Sequence, residues 1–76
     1  MIIDARKNKD SRELFRTLKD VFVKEIGNEV FIEVLVDTNE TAKKVKAFAS
    51  MSGCQAVAEE KDGYCVVRIT GRPCCV

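Results

Sequence analysis

The chain of 76 residues contains no histidine and no tryptophan, and it has a single proline and a single tyrosine. The absence of histidine excludes Ser-His-Asp and Cys-His catalytic units, imidazole general bases and mixed Cys/His zinc sites. With 13 basic and 12 acidic side chains the net charge is only +1, so we expect no nucleic-acid binding through bulk electrostatics. Any nucleophilic chemistry therefore has to come from thiols.

Long apolar segments are also absent. No run approaches the length of a membrane span, and the first nine residues lack the apolar core of a secretory signal. We therefore expect a cytoplasmic protein that contacts no membrane, with mostly reduced thiols. A chain this short is expected to form a single domain over residues 1–76.

The first half of the chain alternates strand and helix patterns. The short apolar run Met1-Ile2-Ile3-Asp4-Ala5 predicts a first strand, and Asp10 with Glu13 resembles an acidic capping box at the start of a helix. That helix is expected to end at Gly27. Its apolar stripe comprises Leu14, Phe15, Leu18, Val21, Phe22 and Ile26.

A central strand and a second helix follow. The segment from Val30 to Val36 is apolar except for Glu33 and rich in β-branched residues, which is typical of a strand largely covered on both faces. Asp37 and Glu40 repeat the capping pattern, and the second helix is expected to end at Gly53. Its apolar stripe comprises Ala42, Val45, Phe48, Ala49 and Ser52.

A β-hairpin closes the chain. Asp62-Gly63 predicts a type I′ turn that pairs Lys61 with Tyr64 and places Cys54 opposite Gly71. The predicted core face of the hairpin comprises Ala56, Ala58, Val67 and Ile69. The order βαβαββ predicts the α+β class: a two-layer α/β sandwich in which two helices cover one face of a four-stranded mixed sheet.

The four cysteines lie at positions 54, 65, 74 and 75, a spacing that does not fit paired CxxC zinc motifs. In the predicted register Cys54 and Cys65 share a face but lie about five pairs apart at ~3.4 Å per residue, beyond disulfide reach. Two interpretations stay open. Cys54, Cys74 and Cys75 form a thiol cluster, or Cys54 and Cys65 are small buried hydrophobes ahead of a disordered tail. Three thiols make an incomplete zinc site, so we expect no metal and no cofactor.

Several segments together resemble a known family. They are Ile3-Asp4-Ala5-Arg6, Val36-Asp37, the helical stretch from Ala42 to Gly53, and Glu60-Lys61-Asp62-Gly63-Tyr64. Over nearly the whole chain, this pattern resembles the TusA/SirA/YedF group of small sulfur-carrier proteins. The resemblance implies the same βαβαββ sandwich, with sheet order 1-2-4-3 and the last strand antiparallel to the others.

The resemblance breaks at the motif that defines the family's chemistry. Members carry Cys-Pro-x-Pro at the entry to the first helix, where the helix dipole favours a thiolate that accepts sulfur. Counted from Asp4-Ala5-Arg6, the family's cysteine falls on Asp10 and its prolines fall on Ser11 and Glu13. The carrier cysteine is therefore missing from its usual position.

One functional hypothesis is a divergent sulfur-relay protein, at most a sulfurtransferase-type carrier. In it, Cys74 or Cys75 carries the persulfide, Cys54 acts as a resolving thiol, and Arg72 favours the thiolate. Its partner is a protein that donates or accepts sulfur.

Two alternatives belong to other classes. The first is a non-catalytic binding or regulatory module, monomeric or weakly dimeric, that uses one face of the sheet as its partner surface. That face bears Val57, Tyr64, Val66 and Arg68. The second is a thiol-based metal or redox sensor built on Cys54, Cys74 and Cys75.

Overall fold

The computed structural model describes residues 1–6 and 11–74, and it confirms the βαβαββ order. The elements are β1 (Ile2–Asp4), α1 (Ser11–Lys24), β2 (Val30–Val36), α2 (Asn39–Met51), β3 (Cys54–Lys61) and β4 (Tyr64–Gly71). None of the helices in this part of the chain is long and apolar enough to cross a membrane. The predicted cap of the first helix, Asp10, lies outside the described residues.

The four strands form one mixed sheet in the order β1-β2-β4-β3. β1 is parallel to β2, and β4 is antiparallel to both of its neighbours, so β4 alone runs against the other three strands. This arrangement confirms the predicted sheet order and direction. It follows from the chain itself, because each helix carries the chain back to start a parallel strand, whereas a two-residue turn reverses it.

Both helices cover the same face of the sheet. On β2 the even-numbered residues Val30, Ile32, Val34 and Val36 are buried in the core. Phe31 on the other face is 57% exposed, so the prediction that this strand is covered on both faces is wrong. The helices contribute Leu14, Leu18, Phe22, Ala42, Val45 and Ala49 to the same core. Phe22 and Phe48 stack with ring centroids 5.6 Å apart and thereby join α1 to α2. The predicted apolar stripes are thus the surfaces that pack on the sheet, except at Ile26, which follows the end of α1 and is 49% exposed.

The hairpin has the predicted register but a different turn. Pairing runs from Cys54 opposite Gly71 to Lys61 opposite Tyr64. A type I′ turn requires positive φ at both central residues, whereas only Gly63 has it, at +82°. The type I′ prediction is therefore wrong, and the signs of φ match a type II turn. The register survives because either turn closes a two-residue loop.

One residue of the predicted core face is not in the core. Ala58 is exposed and Ala56 is half-buried, whereas Val67 and Ile69 are fully buried. β3 is an edge strand with a neighbour on one side only, so its small side chains are covered less than those of the central strand β4.

The second helix is capped by a residue other than the expected Asp37. Thr38 is the N-cap, with extended backbone, and its hydroxyl accepts a hydrogen bond from the Thr41 amide at 3.2 Å. Thr38 lies three residues before Thr41, the spacing at which an N-cap oxygen reaches a free first-turn amide. Glu40 lies in the first turn, where the helix dipole favours a negative charge. At the other end, Ser52 is the C-cap and Gly53 follows with a φ of +86°.

Candidate functional site

The segment after β4 is attached to the ends of both helices. Pro73 is fully buried, and its carbonyl accepts a hydrogen bond from the Gly27 amide at 3.1 Å, beyond the end of α1. The Cys74 amide donates to the Ser52 carbonyl, at the end of α2, at 3.0 Å. The tail is therefore anchored up to Cys74, which contradicts the interpretation of this segment as a disordered end. It lies beyond the C-terminal end of α1, far from the helix start where the resemblance places a carrier cysteine.

The anchored tail places the Cys74 sulfur against a glycine. A Cβ added to Gly53 would lie 2.5 Å from Cys74 Sγ and 3.5 Å from both the Arg72 carbonyl oxygen and the Cys74 amide nitrogen. Cys74 itself is exposed. The structure thus presents an exposed thiol whose inner side rests on the backbone at position 53, next in sequence to Cys54.

Cys54 is on the core side of the same region. It pairs with Gly71 and is 6% exposed. Burial raises the pKa of the Cys54 thiol, which favours the protonated, weakly nucleophilic form. Its burial agrees with the interpretation of Cys54 as a small core residue and weighs against the predicted role as a resolving thiol, which stays a prediction.

The remaining cysteine of the predicted cluster, Cys75, lies outside the described residues. Its candidate role as a persulfide carrier stays a prediction. Within residues 1–6 and 11–74, no group of three or more His, Cys, Asp or Glu side chains is placed to hold a metal ion. A metal site formed by Cys54, Cys74 and Cys75 would depend on Cys75, so it also stays a prediction.

Cys65 occupies the opposite end of the hairpin. It is 4% exposed, and its thiol donates to Asn39 Oδ1 at 3.1 Å, at the beginning of α2. The burial agrees with the interpretation of Cys65 as a core residue. The hydrogen bond to Asn39 was not foreseen from the sequence, because the two residues are 26 positions apart and meet only through the β2–β4 pairing.

The same end of the sheet carries a charged cluster that sequence reasoning missed. Arg6 Nε and Nη2 each donate to an Asp4 carboxylate oxygen at 3.0 Å, and this hydrogen bonding raises the pKa of Arg6. The guanidinium also lies over the Tyr64 ring, 4.9 Å from its centroid. The two-residue spacing of Asp4 and Arg6 is a signal for their pairing, but Tyr64 joins them only in the folded sheet. The cluster of Asp4, Arg6 and Tyr64 contains no cysteine, so it provides no thiol for sulfur chemistry.

The face of the sheet away from the helices carries an ion-pair chain. Glu59 binds Arg68 Nη1 at 2.6 Å and Lys61 Nζ at 2.9 Å, and Arg68 Nε lies 3.9 Å from Glu33. Hydrogen bonds from Lys61 and Arg68 lower the pKa of Glu59. Of the face predicted as a partner surface, Val66 is buried and Val57 is 63% exposed. The exposed apolar side chains of this surface are Ile2, Phe31 and Val57, whereas Val66 is buried. They do not form one patch, because Glu33 and Arg68 lie between Ile2 and Val57 in the sheet.

Comparison with known proteins bears on the fold. The crystal structure of a SirA-like protein from Desulfitobacterium hafniense matches with a TM-score of 0.79 and 27% sequence identity, over 95% of this chain and 99% of that chain. This chain has a SirA-like fold. No protein-family model matches the sequence, and no curated protein matches it. The SirA-like fold agrees with the architecture that the family resemblance implies.

Proposed function

We propose that this protein is a sulfur-relay protein on a SirA-like fold, in which the thiol of Cys74 accepts sulfur from one protein and passes it to another. The observation that carries the proposal is the tail. Its two backbone hydrogen bonds, from the Gly27 amide to the Pro73 carbonyl and from the Cys74 amide to the Ser52 carbonyl, hold the peptide group that precedes the Cys74 side chain, while that side chain is exposed. An exposed thiol on an anchored backbone suits transfer between protein partners.

The chemistry is an exchange of sulfur between thiols. The Cys74 thiolate attacks the outer sulfur of a persulfide on the donor protein. A new S–S bond forms on Cys74, the S–S bond of the donor breaks, and the donor leaves as a thiolate. The same exchange with an acceptor thiolate returns Cys74 to its starting state. No oxidant or reductant is consumed in either step.

The other described cysteines are less suited to this role. Cys54 and Cys65 are buried, and the pKa of Cys54 is raised by that burial. The helix end beside Cys74 is the C-terminus of α2, whose partial negative charge does not favour a thiolate. The exposed Arg72, two residues before Cys74, is the nearest cation in sequence, and we propose that its positive charge favours the thiolate. Cys75 is included in the proposal as a second carrier.

The test is sulfur loading followed by intact mass. The chain is incubated with a cysteine desulfurase and labelled cysteine, and we expect a gain of one sulfur atom that a reducing agent removes. The gain is expected to persist in Cys65→Ala and to disappear in the Cys74→Ala/Cys75→Ala double variant, and the two single variants separate the roles of the pair. No gain in the unaltered chain, or an undiminished gain in the double variant, would refute the proposal.

A second candidate is a non-catalytic binding module, favoured by the apolar side chains exposed around the ion-pair chain of the sheet. A second copy or another protein would cover Phe31 and Val57, which are each more than half exposed. Native mass measured at rising protein concentration, for the unaltered chain and for Val57→Asp, tests self-association. A strict monomer in both argues against a dimer surface.

Metal analysis of protein purified without a tag tests the metal-sensor alternative.

A further inference from the structure

We propose that Gly53 is a positioning residue for the Cys74 thiol, because the missing side chain at position 53 creates the space in which the thiol lies. This inference rests on the proposed function and deepens it: it identifies what orients the sulfur-accepting group. The catalytic group in this scheme is Cys74, and Gly53 acts only through it.

The geometry shows direct competition for space. A Cβ at position 53 would lie 2.5 Å from Cys74 Sγ, a separation that non-bonded atoms do not tolerate. The next nearest atoms are the Arg72 carbonyl oxygen and the Cys74 amide nitrogen, each at an ordinary contact distance of 3.5 Å. The Cys74 sulfur is therefore the atom with which a side chain at position 53 would clash.

The backbone around the thiol has little freedom to avoid this clash. The Cys74 amide is bonded to the Ser52 carbonyl, and the buried Pro73 is bonded to the Gly27 amide. With an alanine at position 53, either the Cys74 side chain rotates away or the tail lifts from both anchors. In both cases the sulfur leaves its position.

A displaced sulfur has opposite consequences for two reactions. Transfer from a protein-bound persulfide needs the thiol at a fixed place and angle, and displacement of a reacting group costs on the order of 10- to 100-fold in rate. A small alkylating agent makes no such demand. It reacts severalfold faster once the inner side of the sulfur is no longer covered by the Gly53 backbone.

The chain contains matched controls for the backbone effect of the substitution. Gly53, Gly27 and Gly63 have nearly the same positive φ, at +86°, +83° and +82°. A Cβ added to Gly27 or Gly63 would meet nothing within 4 Å. Alanine at all three positions therefore imposes similar backbone strain, and only the substitution at position 53 adds a clash with Cys74.

The experiment compares Gly53→Ala with Gly63→Ala in a chain carrying Cys75→Ser, so that Cys74 is the one cysteine of the tail. Three quantities are measured: the rate of Cys74 alkylation by iodoacetamide, hydrogen exchange at the Cys74 amide, and sulfur acceptance from a persulfide-loaded cysteine desulfurase. We expect Gly53→Ala to speed alkylation and to slow sulfur acceptance by about tenfold or more. Exchange of the Cys74 amide becomes faster if the tail lifts and stays unchanged if only the side chain rotates. Gly63→Ala is expected to leave all three close to those of the parent chain.

A stability cycle provides an independent test that does not depend on sulfur transfer. We expect Gly53→Ala to lose more stability than Gly63→Ala, because only Gly53→Ala adds a clash with Cys74 Sγ. Cys74→Ala removes that sulfur, so adding it to Gly53→Ala should recover the extra loss. Cys74→Ala and Gly63→Ala should instead be additive. If Gly53→Ala is too unstable to study alone, the double variant with Cys74→Ala should fold, which makes the same point.

The possible outcomes separate the two proposals. Equal rates of Cys74 alkylation in Gly53→Ala and Gly63→Ala would overturn the positioning role, whatever the sulfur assay shows. So would the absence of any recovery of stability when Cys74→Ala is added to Gly53→Ala. Failure of the unaltered chain, as well as of the Cys75→Ser chains, to accept sulfur would refute the proposed function. Alkylation, exchange and the stability cycle would still decide whether Gly53 places the thiol.

Discussion

Serine substitution of the two buried cysteines should give unequal results, although both lie on the core face of one hairpin. Cys65 already donates a hydrogen bond, to Asn39 Oδ1 at 3.1 Å. Cys54 is buried to the same degree, and no described residue forms a hydrogen bond with its thiol. A serine hydroxyl at position 65 can therefore donate a hydrogen bond to Asn39 Oδ1. A serine hydroxyl at position 54 would be buried with no hydrogen-bond acceptor among the described residues.

The size of the difference follows from the cost of burying a hydroxyl. Burial without a hydrogen-bond partner costs about 1–3 kcal/mol, and a hydrogen bond contributes about 0.5–1.5 kcal/mol. We expect Cys54→Ser to lower the free energy of unfolding by about 1–3 kcal/mol and Cys65→Ser to stay within about 1 kcal/mol of the unaltered chain. In a domain of this size each kcal/mol shifts Tm by roughly 4–8 °C, so the two variants should be clearly separated.

Urea unfolding followed by far-UV circular dichroism is the appropriate assay, because the chain lacks tryptophan for fluorescence. The denaturant slope should not change, so that the midpoints compare stability directly. Asn39→Ala removes the acceptor, and in that background Cys65→Ser should become about as costly as Cys54→Ser. If Cys65→Ser is the more damaging of the two single substitutions, the assigned hydrogen bond is not what distinguishes these sites.

Two further predictions concern helix capping and pH. Thr38→Ala should lower the free energy of unfolding by about 1 kcal/mol through loss of the N-cap, and Asp37→Ala by much less; equal losses in thermal unfolding would contradict the assignment of Thr38. Because hydrogen bonds from Lys61 and Arg68 hold the pKa of Glu59 below its usual value of 4.5, this carboxylate stabilises the fold above that pH, and the contribution disappears as pH falls through the folded-state pKa. Glu59→Gln should therefore lose less stability than the unaltered chain when the pH falls below 4.5, and the difference should be small because the carboxylate is exposed. If the urea midpoints of the two chains depend on pH in the same way, the stabilising role of Glu59 is contradicted.

The parts of the fold that were predicted correctly are those set by local pattern. Asp62-Gly63 between two alternating segments was enough to place Cys54 opposite Gly71 and Lys61 opposite Tyr64. A two-residue loop permits one register, and a shift of one residue would turn every buried side chain to solvent. The local pattern did not specify the turn type, because types I′ and II differ only in the dihedral angles of Asp62 and Gly63.

The candidate site was predicted less completely. The sequence alone indicated that Cys54, Cys74 and Cys75 are the thiols nearest the tail, and that the family's cysteine is absent at position 10. It gave no sign that Pro73 would be buried or that Gly53 would lie under Cys74. Both depend on where the ends of α1 and α2 meet the tail, and that meeting point is a product of packing.

The sequence by itself determined the order of elements, the hairpin register and most of the core stripes of the helices. Each of these follows from short-range spacing or from composition, which act before the chain has folded. The tertiary structure alone decided which thiols are exposed, what anchors the tail, and which residues meet across the sheet. Cys65 with Asn39, Arg6 with Tyr64 and Cys74 with Gly53 are separated by many residues along the chain. Such contacts form only when long-range packing has fixed the positions of the strands and helices that carry them.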